Sequence, residues 1–349
     1  SEDKDELIFE EKDETFTCSI SLTSDEKFFI ITTSDHITTE EYFFPSEIKE
    51  IDLKLFKKRK KDVRYSLDSW QGYFYIHTNE NARDYKVQRC KTNETDKLEE
   101  FIDQKILVYK EKRDFPAIDG TSSLSPYLSS GVLSSRQCLF KVFEKLSEEE
   151  EGIKTWVNEI IWREFYKYIL FHNPRVSKNL SFSEKYDNFP WLNNEDNFIS
   201  WSKGQTGVPI IDAAMRQLNA SGWMHNRLRM IVAMYLTKNL LIDWRKGEKY
   251  FMKKLIDGDF ASNNGGWQWS ASTGVDAAPY FRIFNPITQS EKFDKEGSFI
   301  KKWIPEIANA KNIHDPSTEE RKEMGYSYHL VDLKESRKKA IEQFSGFSK

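Results

Sequence analysis

The spacing of hydrophobic residues in this chain changes near residue 92, and this change limits the folds that the chain can adopt. Before that point, β-branched and aromatic residues cluster in short runs, such as those that begin at Lys27 and Tyr73, with polar turn sequences between them. After it, apolar residues recur at every third or fourth position, which is typical of helices. The sequence therefore predicts a β-rich meander over residues 1–90 and a helical domain over residues 91–349.

Within the helical part, the pattern is strongest over residues 156–170 and 209–218, and residues 223–241 hold one or two further helices. Proline and glycine predict a loop-rich stretch over residues 116–131. A second loop-rich stretch is marked by three glycines, Gly258, Gly265 and Gly266. The predicted fold class is mainly α, with a short β-rich segment in front.

Charge and tryptophan are distributed unevenly between the two parts. Residues 1–100 carry 24 acidic and 16 basic residues, whereas residues 101–349 carry 36 basic and 32 acidic residues. Nine of the ten tryptophans lie between Trp156 and Trp303. A mildly basic, tryptophan-rich region is a candidate for binding a polyanion, although core packing would also explain the tryptophans.

No sequence signal points to a membrane or to secretion. No stretch approaches the roughly 18 apolar residues that a spanning helix needs, and residues 1–10 are acidic, unlike a secretory signal. The three cysteines are too widely spaced for a disulfide framework. We therefore expect a reduced, cytoplasmic protein that makes no contact with a membrane.

The motifs of several large enzyme classes are missing from the sequence. It contains no P-loop, no G-x-G-x-x-G, no G-x-S-x-G and no H-E-x-x-H, and its six histidines show no metal-ligand spacing. We expect no metal site. If the chain is an enzyme, a bound organic cofactor has to supply the chemistry.

The first candidate site lies on the helix predicted over residues 156–170. Five side chains share or border one face of that helix: Trp156, Glu159, Trp162, Arg163 and Tyr166. A carboxyl group among aromatic rings can hydrogen-bond the edge of a base while a tryptophan stacks on it. An amphipathic core helix with a Glu–Arg pair would give the same pattern.

A second candidate begins at Trp223, which shares one helical face with Asn226 and Met230. The asparagine amide offers both a donor and an acceptor to a planar heterocycle, and methionine is a polarizable packing group for a ring. Arg227 and Arg229 could reach phosphates. The alternative is a helix with a basic outer face.

The third and fourth candidates are polar segments that we read as loops. In residues 255–269, Asp257 and Asp259 could accept hydrogen bonds from ribose hydroxyls, Asn263 could approach a ring nitrogen, and Trp269 could stack on a base. In residues 113–125, hydroxyl and backbone N–H groups could cradle a phosphate. Ordinary turn-rich loops would explain both segments.

Together, the four segments resemble the FAD-binding helical domain of class I cyclobutane pyrimidine dimer photolyases, a branch of the cryptochrome/photolyase family. The resemblance covers about residues 92–349. It rests on stretches that include R-D-F-P-A-I-D-G-T-S, W-V-N-E-I-I-W-R-E-F-Y, T-G-V-P-I-I-D-A-A-M-R-Q-L-N-A-S-G-W-M-H-N-R-L-R-M and L-I-D-G-D-F-A-S-N-N-G-G-W-Q-W. It implies an all-helical fold and a fully reduced FAD as the light-absorbing cofactor.

The resemblance also implies roles for individual residues. The flavin-binding positions would be Tyr109, Thr121, Ser122, Leu124, Ser125, Asp257, Asp259 and Asn263, with Asn263 facing the flavin N5. The substrate and DNA positions would be Arg113, Glu159, Trp162, Arg163, Tyr166, Asn226, Arg227, Met230, Trp269, Arg282 and Gln289. Trp267, Trp244 and Trp191 would form the electron-transfer chain that reduces the flavin.

The activity that the resemblance implies is light-driven repair of cyclobutane pyrimidine dimers in DNA. Excited reduced FAD would donate an electron to a dimer that has been flipped out of the duplex, and Glu159 would be a donor to the dimer anion or a stabiliser of it. Asn226 and Met230 stand where (6-4) photolyases have histidines, which favours cyclobutane dimers, and Asn263 favours a photolyase over many cryptochromes. The alternatives are a flavin photoreceptor or DNA-binding module without repair, or a non-functional fusion product.

The first part of the chain departs from the photolyase pattern. Residues 6–90 resemble a fragment of the oligopeptidase B β-propeller, amounting to one or two blades, without the peptidase domain of that family. We therefore expect a fusion of two unrelated pieces, with no Rossmann-like antenna domain, no antenna chromophore and no peptidase activity. We also expect a monomer.

Overall fold

The computed structural model describes residues 7–47, 51–91, 94–145 and 150–347. The chain forms two compact units, Ser1–Glu99 and Glu100–Lys349. Thr92, near which the hydrophobic spacing changes, lies outside the described residues. A domain boundary at residue 90 remains a prediction.

The first unit contains two antiparallel sheets. Their strands are β1 (Thr17–Leu22), β2 (Phe28–Ser34), β3 (Thr39–Pro45), β4 (Lys54–Lys57), β5 (Tyr65–Trp70), β6 (Tyr73–Thr78) and β7 (Lys86–Lys91). The sheet orders are β1-β2-β3-β4 and β5-β6-β7, so within each sheet the strands follow one another in chain order. This is the predicted meander. The runs that begin at Lys27 and Tyr73 form β2 and β6.

The core of the first unit is small and aromatic. The Phe74 ring lies 5.0 Å from that of Phe28, 4.9 Å from that of Phe43 and 5.6 Å from that of Phe56, measured between ring centroids. The edge strand β1 contributes little to this core, and its Ile20 is 58% exposed. Phe74 therefore joins three other phenylalanine rings into one aromatic cluster in this unit.

The rest of the chain is mainly helical. Its helices are α1 (Glu94–Gln104), α2 (Tyr109–Lys112), α3 (Ser125–Ser130), α4 (Ser135–Lys145), α5 (Glu151–His172), α6 (Glu195–Lys203), α7 (Pro209–Ser221), α8 (Asn226–Met234), α9 (Trp244–Lys254), α10 (Phe260–Ala271), α11 (Pro286–Phe293), α12 (Ser298–Trp303), α13 (Thr318–Glu323) and α14 (Leu333–Phe347). Short 3₁₀ turns occupy Ile106–Val108, Pro174–Lys178, Glu184–Tyr186 and Pro305–Ile307, and a π-helical turn occupies Tyr235–Asn239.

The strongest helix predictions are confirmed. The helix expected over residues 156–170 lies within α5, and the one over residues 209–218 lies within α7. Pro209 occupies the first turn of α7, where its missing N–H leaves no hydrogen bond unmade. Gly222 ends the same helix in the left-handed conformation at φ 69°. Residues 223–241 form α8 and the π-helical turn.

The loop predicted around Gly265 and Gly266 is wrong, because both glycines lie in the middle of α10. A Cβ atom on Gly265 would lie 2.1 Å from the ring of Tyr166 on α5. The glycine is therefore present because α5 and α10 pack closely, and not because the backbone turns there. Asp259 starts the helix by accepting a hydrogen bond from the Ser262 N–H at 2.9 Å.

The core of the second unit surrounds α7, whose residues from Pro209 to Met215 are all buried. Trp201 and Trp244 are among its largest fully buried side chains. This core fixes α8, α9 and α10 relative to one another. Within the described residues, no helix is both long enough and apolar enough to cross a membrane.

Candidate cofactor and DNA site

A cavity of about 620 Å³ opens in the helical unit. Its walls come from the residues between α2 and α3 and from α5, α8 and α10. The volume falls within the range of roughly 300–1,000 Å³ that is usual for ligand pockets. The four segments that stood out in the sequence therefore meet around one space.

One side of the cavity, which we call the cofactor wall, carries the positions expected to bind flavin. These are Tyr109, Thr121, Ser122, Leu124, Ser125, Asp257, Asp259 and Asn263, and all of them line the cavity. Burial raises the pKa of Tyr109 to about 12, so its hydroxyl stays protonated at neutral pH. Uncharged hydroxyl groups thus dominate the part of this wall that precedes α3.

Asp257 supplies a buried carboxylate on the cofactor wall. It is 5% exposed, and its Oδ2 accepts a hydrogen bond from Arg229 Nη2 at 2.7 Å. Its Oδ1 is buried and has no hydrogen-bond partner among the described residues. A buried acceptor without a donor is costly, so a ligand that presents hydroxyl or N–H groups here would be stabilised.

The side chain of Asn263 is held in place by a hydrogen bond to α9. Its Nδ2 donates a hydrogen bond to the backbone oxygen of Glu248 at 3.0 Å. Glu248 is 6% exposed, and this burial raises the pKa of its carboxyl group. The amide of Asn263 therefore has a fixed position on the cavity surface.

A second set of cavity-lining residues, which we call the DNA wall, comprises positions expected to contact the substrate. These are Arg113, Glu159, Trp162, Arg163, Tyr166, Asn226, Arg227, Met230 and Trp269, and all of them line the cavity. Trp162 is 43% exposed. An exposed indole beside a carboxylate can receive a planar ring that enters from solvent.

The arginines of the DNA wall are ion-paired. Arg113 Nη1 lies 2.5 Å from Glu159 Oε1, and Arg227 Nη2 lies 2.7 Å from Asp114 Oδ1. Burial alone would lower the pKa of Arg113, but the hydrogen bond to Glu159 and the nearby negative charge together outweigh it and leave the pKa above its ordinary value. Both arginines are therefore charged and already have carboxylate partners.

His225 fixes the start of α8 on the DNA wall. Its Nδ1 accepts a hydrogen bond from the Arg227 N–H at 3.1 Å, so its proton must lie on Nε2. Burial lowers the pKa of His225 to about 4. The imidazole is therefore neutral at physiological pH.

Comparisons with known proteins identify the helical unit. A family model described as the FAD binding domain of DNA photolyase matches residues 156–346. The deoxyribodipyrimidine photo-lyase of Vibrio cholerae is 51% identical over 261 residues, which cover 73% of this chain and 54% of that protein. The corresponding enzyme of Escherichia coli is 50% identical over 248 residues, covering 69% of this chain and 52% of that protein.

The chain belongs to the family of the DNA photolyase FAD-binding domain. A crystal structure of a class III photolyase from Agrobacterium tumefaciens matches it with a TM-score of 0.68 and 41% identity, covering 74% of this chain and 56% of that chain. The chain spans about half the length of the curated photolyases that it matches. A second family model, the N-terminal β-propeller domain of prolyl oligopeptidase, matches residues 1–116.

Of the three tryptophans assigned to a photolyase electron-transfer chain, only Trp267 lines the cavity. Trp244 is 1% exposed and stands at the start of α9. A Cβ atom on Gly247, one turn further along α9, would lie 2.2 Å from the Trp267 ring. Trp191 lies farther along the core, 4.6 Å from the ring of Phe189. The electron-transfer role of these rings remains a prediction.

Three residues that the sequence grouped with the site lie elsewhere. Arg282 is exposed, Gln289 is half-buried on α11, and neither lines the cavity. Trp156 is buried 5.2 Å from the ring of Phe101, so it belongs to the core. Its position is consistent with the core-helix alternative for this part of α5.

Some residues at the site were missed by the sequence patterns. Asp114, Glu248 and Asp276 were not singled out, although Asp276 lines the cavity and the other two contact residues that do. Asp114 directly follows Arg113 in the R-D-F-P motif, which is the only signal that could have found it. Among the described residues, no group of three His, Cys, Asp or Glu side chains could hold a metal ion.

Proposed function

We propose that this chain binds FAD in the cavity and repairs cyclobutane pyrimidine dimers in DNA by light-driven electron transfer. The observation that carries the proposal is that one cavity joins every expected flavin-binding position to the expected positions for a flipped pyrimidine dimer. The identity of about 50% to two photo-lyases over most of this chain supports it.

The cofactor wall fits FAD in its chemistry. The hydroxyl groups of residues 121–125 would hold the phosphates. The unpartnered Oδ1 of Asp257 would accept a hydrogen bond from a ligand hydroxyl or N–H group. Asn263 would contact the flavin ring from its fixed position on α10. Bound in its reduced form, FAD supplies one electron to the dimer after absorbing light.

The DNA wall would receive the damaged bases. Trp162 and Trp269 would stack on the extruded dimer, and Asn226 would hydrogen-bond the edge of a base. Glu159 is ion-paired with Arg113, so in its ionised form it would accept a hydrogen bond from a base N–H. Donor groups fixed here, such as the Asn226 amide and the Arg113 guanidinium, would stabilise the negative charge that develops on the dimer.

Arginines would hold the DNA backbone around the extruded bases. Arg113 and Arg227 lie on the DNA wall, and Arg282 is exposed outside it. Binding to phosphate releases counterions, so affinity for DNA should fall as salt rises. Gln289 would contact DNA from α11, also outside the cavity.

Trp267, Trp244 and Trp191 would carry an electron from the protein surface to the flavin. Their placement supports this, because Gly247 lets the helix that begins at Trp244 pack directly on Trp267. The same electron-transfer chain of tryptophans would serve a photoreceptor that does not repair DNA, so its presence does not distinguish the two functions. We further propose that the protein is a cytoplasmic monomer in which FAD absorbs light directly, without an antenna chromophore.

The experiment is repair of an oligonucleotide containing one thymine dimer by purified, photoreduced protein, under blue light and in the dark. We expect repair only in the light, with an action spectrum that follows reduced FAD. Bound FAD without repair would contradict the enzyme proposal and favour a photoreceptor or DNA-binding module. A preparation that holds no FAD would indicate a non-functional fusion product.

A further inference from the structure

We propose that Asp114 is a specificity-determining residue, because its carboxylate pairs with two arginines of the DNA wall and so weakens binding to undamaged DNA. The inference rests on the proposed function, because it concerns how the same site distinguishes a dimer from ordinary duplex. Asp114 belongs to none of the groups expected to touch flavin or substrate.

The geometry places Asp114 between the two arginines. Its Oδ1 lies 2.7 Å from Nη2 of Arg227 and 3.9 Å from Nε of Arg113. Arg113 in turn lies 2.5 Å from Glu159 through Nη1. The carboxylate thus joins α8 to the segment after α2, and through Arg113 to α5.

The surroundings hold this arrangement in place. The Arg227 guanidinium packs over the ring of Phe293 at 4.5 Å, and that of Arg113 packs over Tyr109 at 5.2 Å. The Arg113 and Arg227 side chains are 18% and 20% exposed, whereas that of Asp114 is 34% exposed. Both arginines are therefore packed on aromatic rings and partly desolvated, with their charge directed at carboxylates.

This network has a consequence for specificity. A backbone phosphate that approaches Arg227 must compete with the Asp114 carboxylate, which carries the same sign of charge as the phosphate. That competition weakens binding to any duplex. A dimer inside the cavity regains affinity through Glu159 and the stacking rings, and Asp114 supports those contacts because it helps to hold Arg113 beside Glu159.

The test compares the FAD-loaded wild-type protein with Asp114→Asn, using a duplex that contains one thymine dimer and the same duplex without it, in the dark. The matched control is Asp119→Asn, which removes the same charge from the same loop. Asp119 pairs with Lys105 at 2.7 Å and is 74% exposed. Fluorescence anisotropy over a range of salt concentrations gives both affinities and their salt slopes.

We expect Asp114→Asn to bind undamaged duplex roughly threefold more tightly at low salt, with a salt slope steeper by about one phosphate contact. Affinity for the duplex that contains the dimer should not rise by the same factor, so the ratio of the two affinities should fall. Asp119→Asn should shift both affinities equally. Asp114→Glu, which keeps the charge, should retain discrimination and shows whether the site tolerates a change at this position.

Two results would overturn the proposal. If Asp114→Asn keeps the same ratio of affinities as Asp119→Asn, Asp114 plays no part in specificity while the proposed function stands. If the wild-type protein binds both duplexes equally, the proposed function fails, and this inference fails with it. The flavin absorption spectrum of each variant shows that the cofactor wall is intact.

Discussion

The two walls of the cavity are built from different chemistry. The cofactor wall presents hydroxyl groups and the carboxylate of Asp257, which is 5% exposed and bonded to a single arginine. The DNA wall presents guanidinium–carboxylate pairs and an indole, Trp162, that is 43% exposed. A buried, pre-oriented wall suits a group that stays bound, whereas an exposed, charge-paired wall suits a molecule that enters and leaves.

The largest effect should come from removing the buried carboxylate of the cofactor wall. Asp257→Ala leaves Arg229 without its partner, and we expect a loss of about 3 kcal/mol in the free energy of unfolding, together with loss of FAD. The measurement is urea unfolding with flavin absorbance as a second readout. Asp257→Asn keeps an acceptor oxygen and should lose less.

The matched change is Glu164→Ala, which removes the exposed carboxylate partner of Arg163 on the DNA wall. Glu164 pairs with Arg163 at 2.8 Å, but its side chain is 52% exposed, so its removal should reduce the free energy of unfolding by less than about 1 kcal/mol. Equal losses from Asp257→Ala and Glu164→Ala would show that the two walls do not differ in the way described here.

A pH effect should originate at His225, which is buried at the start of α8, directly before Asn226 of the DNA wall. The pKa of His225 is about 4 in the folded chain and about 6.5 when unfolded, so the unfolded state binds the proton more tightly. Its contribution to stability is complete above pH 6.5 and is lost as the pH falls toward 4, by up to about 3 kcal/mol.

The measurement is the free energy of unfolding as a function of pH for the wild-type protein and for His225→Gln, which cannot titrate. The wild-type curve should be the steeper of the two between pH 6.5 and 4. Asp114, Arg227 and Arg229 are the charged groups that act on His225, and they are present in both proteins. Parallel curves would show that His225 does not hold the start of α8 in its neutral form.

A smaller effect is expected when two adjacent glycines of α10 are replaced by alanine, because the two replacements should change the free energy of unfolding differently. Gly265→Ala places a methyl group against Tyr166 and should reduce the free energy of unfolding by about 1–3 kcal/mol. Gly266→Ala meets no described atom within 4 Å and should leave stability unchanged or raise it by up to about 1 kcal/mol. Thermal unfolding of both variants is the measurement. The same loss in both would indicate that α5 and α10 do not pack as described.

Much of the fold could be predicted from local sequence. The apolar periods of α5 and α7 identified these helices, because the local spacing of apolar residues defines a helix without reference to any distant residue. Strands β3, β4, β5 and β7 were not predicted individually. Glu40 and Glu41 lie within β3, for example, and they are buried there only because the neighbouring elements cover them.

The candidate site, like the fold, could be predicted from the sequence only in part. The motifs of four segments identified many of the residues that line the cavity, because each segment carries groups whose chemistry is readable without its neighbours. They did not show that Gly265 lies inside a helix, that Asp114 joins two arginines, or that Arg282 lies outside the cavity. Sequence determined which side chains are available. Tertiary structure alone decided which of them meet, because contacts between residues far apart in the chain depend on how the helices pack.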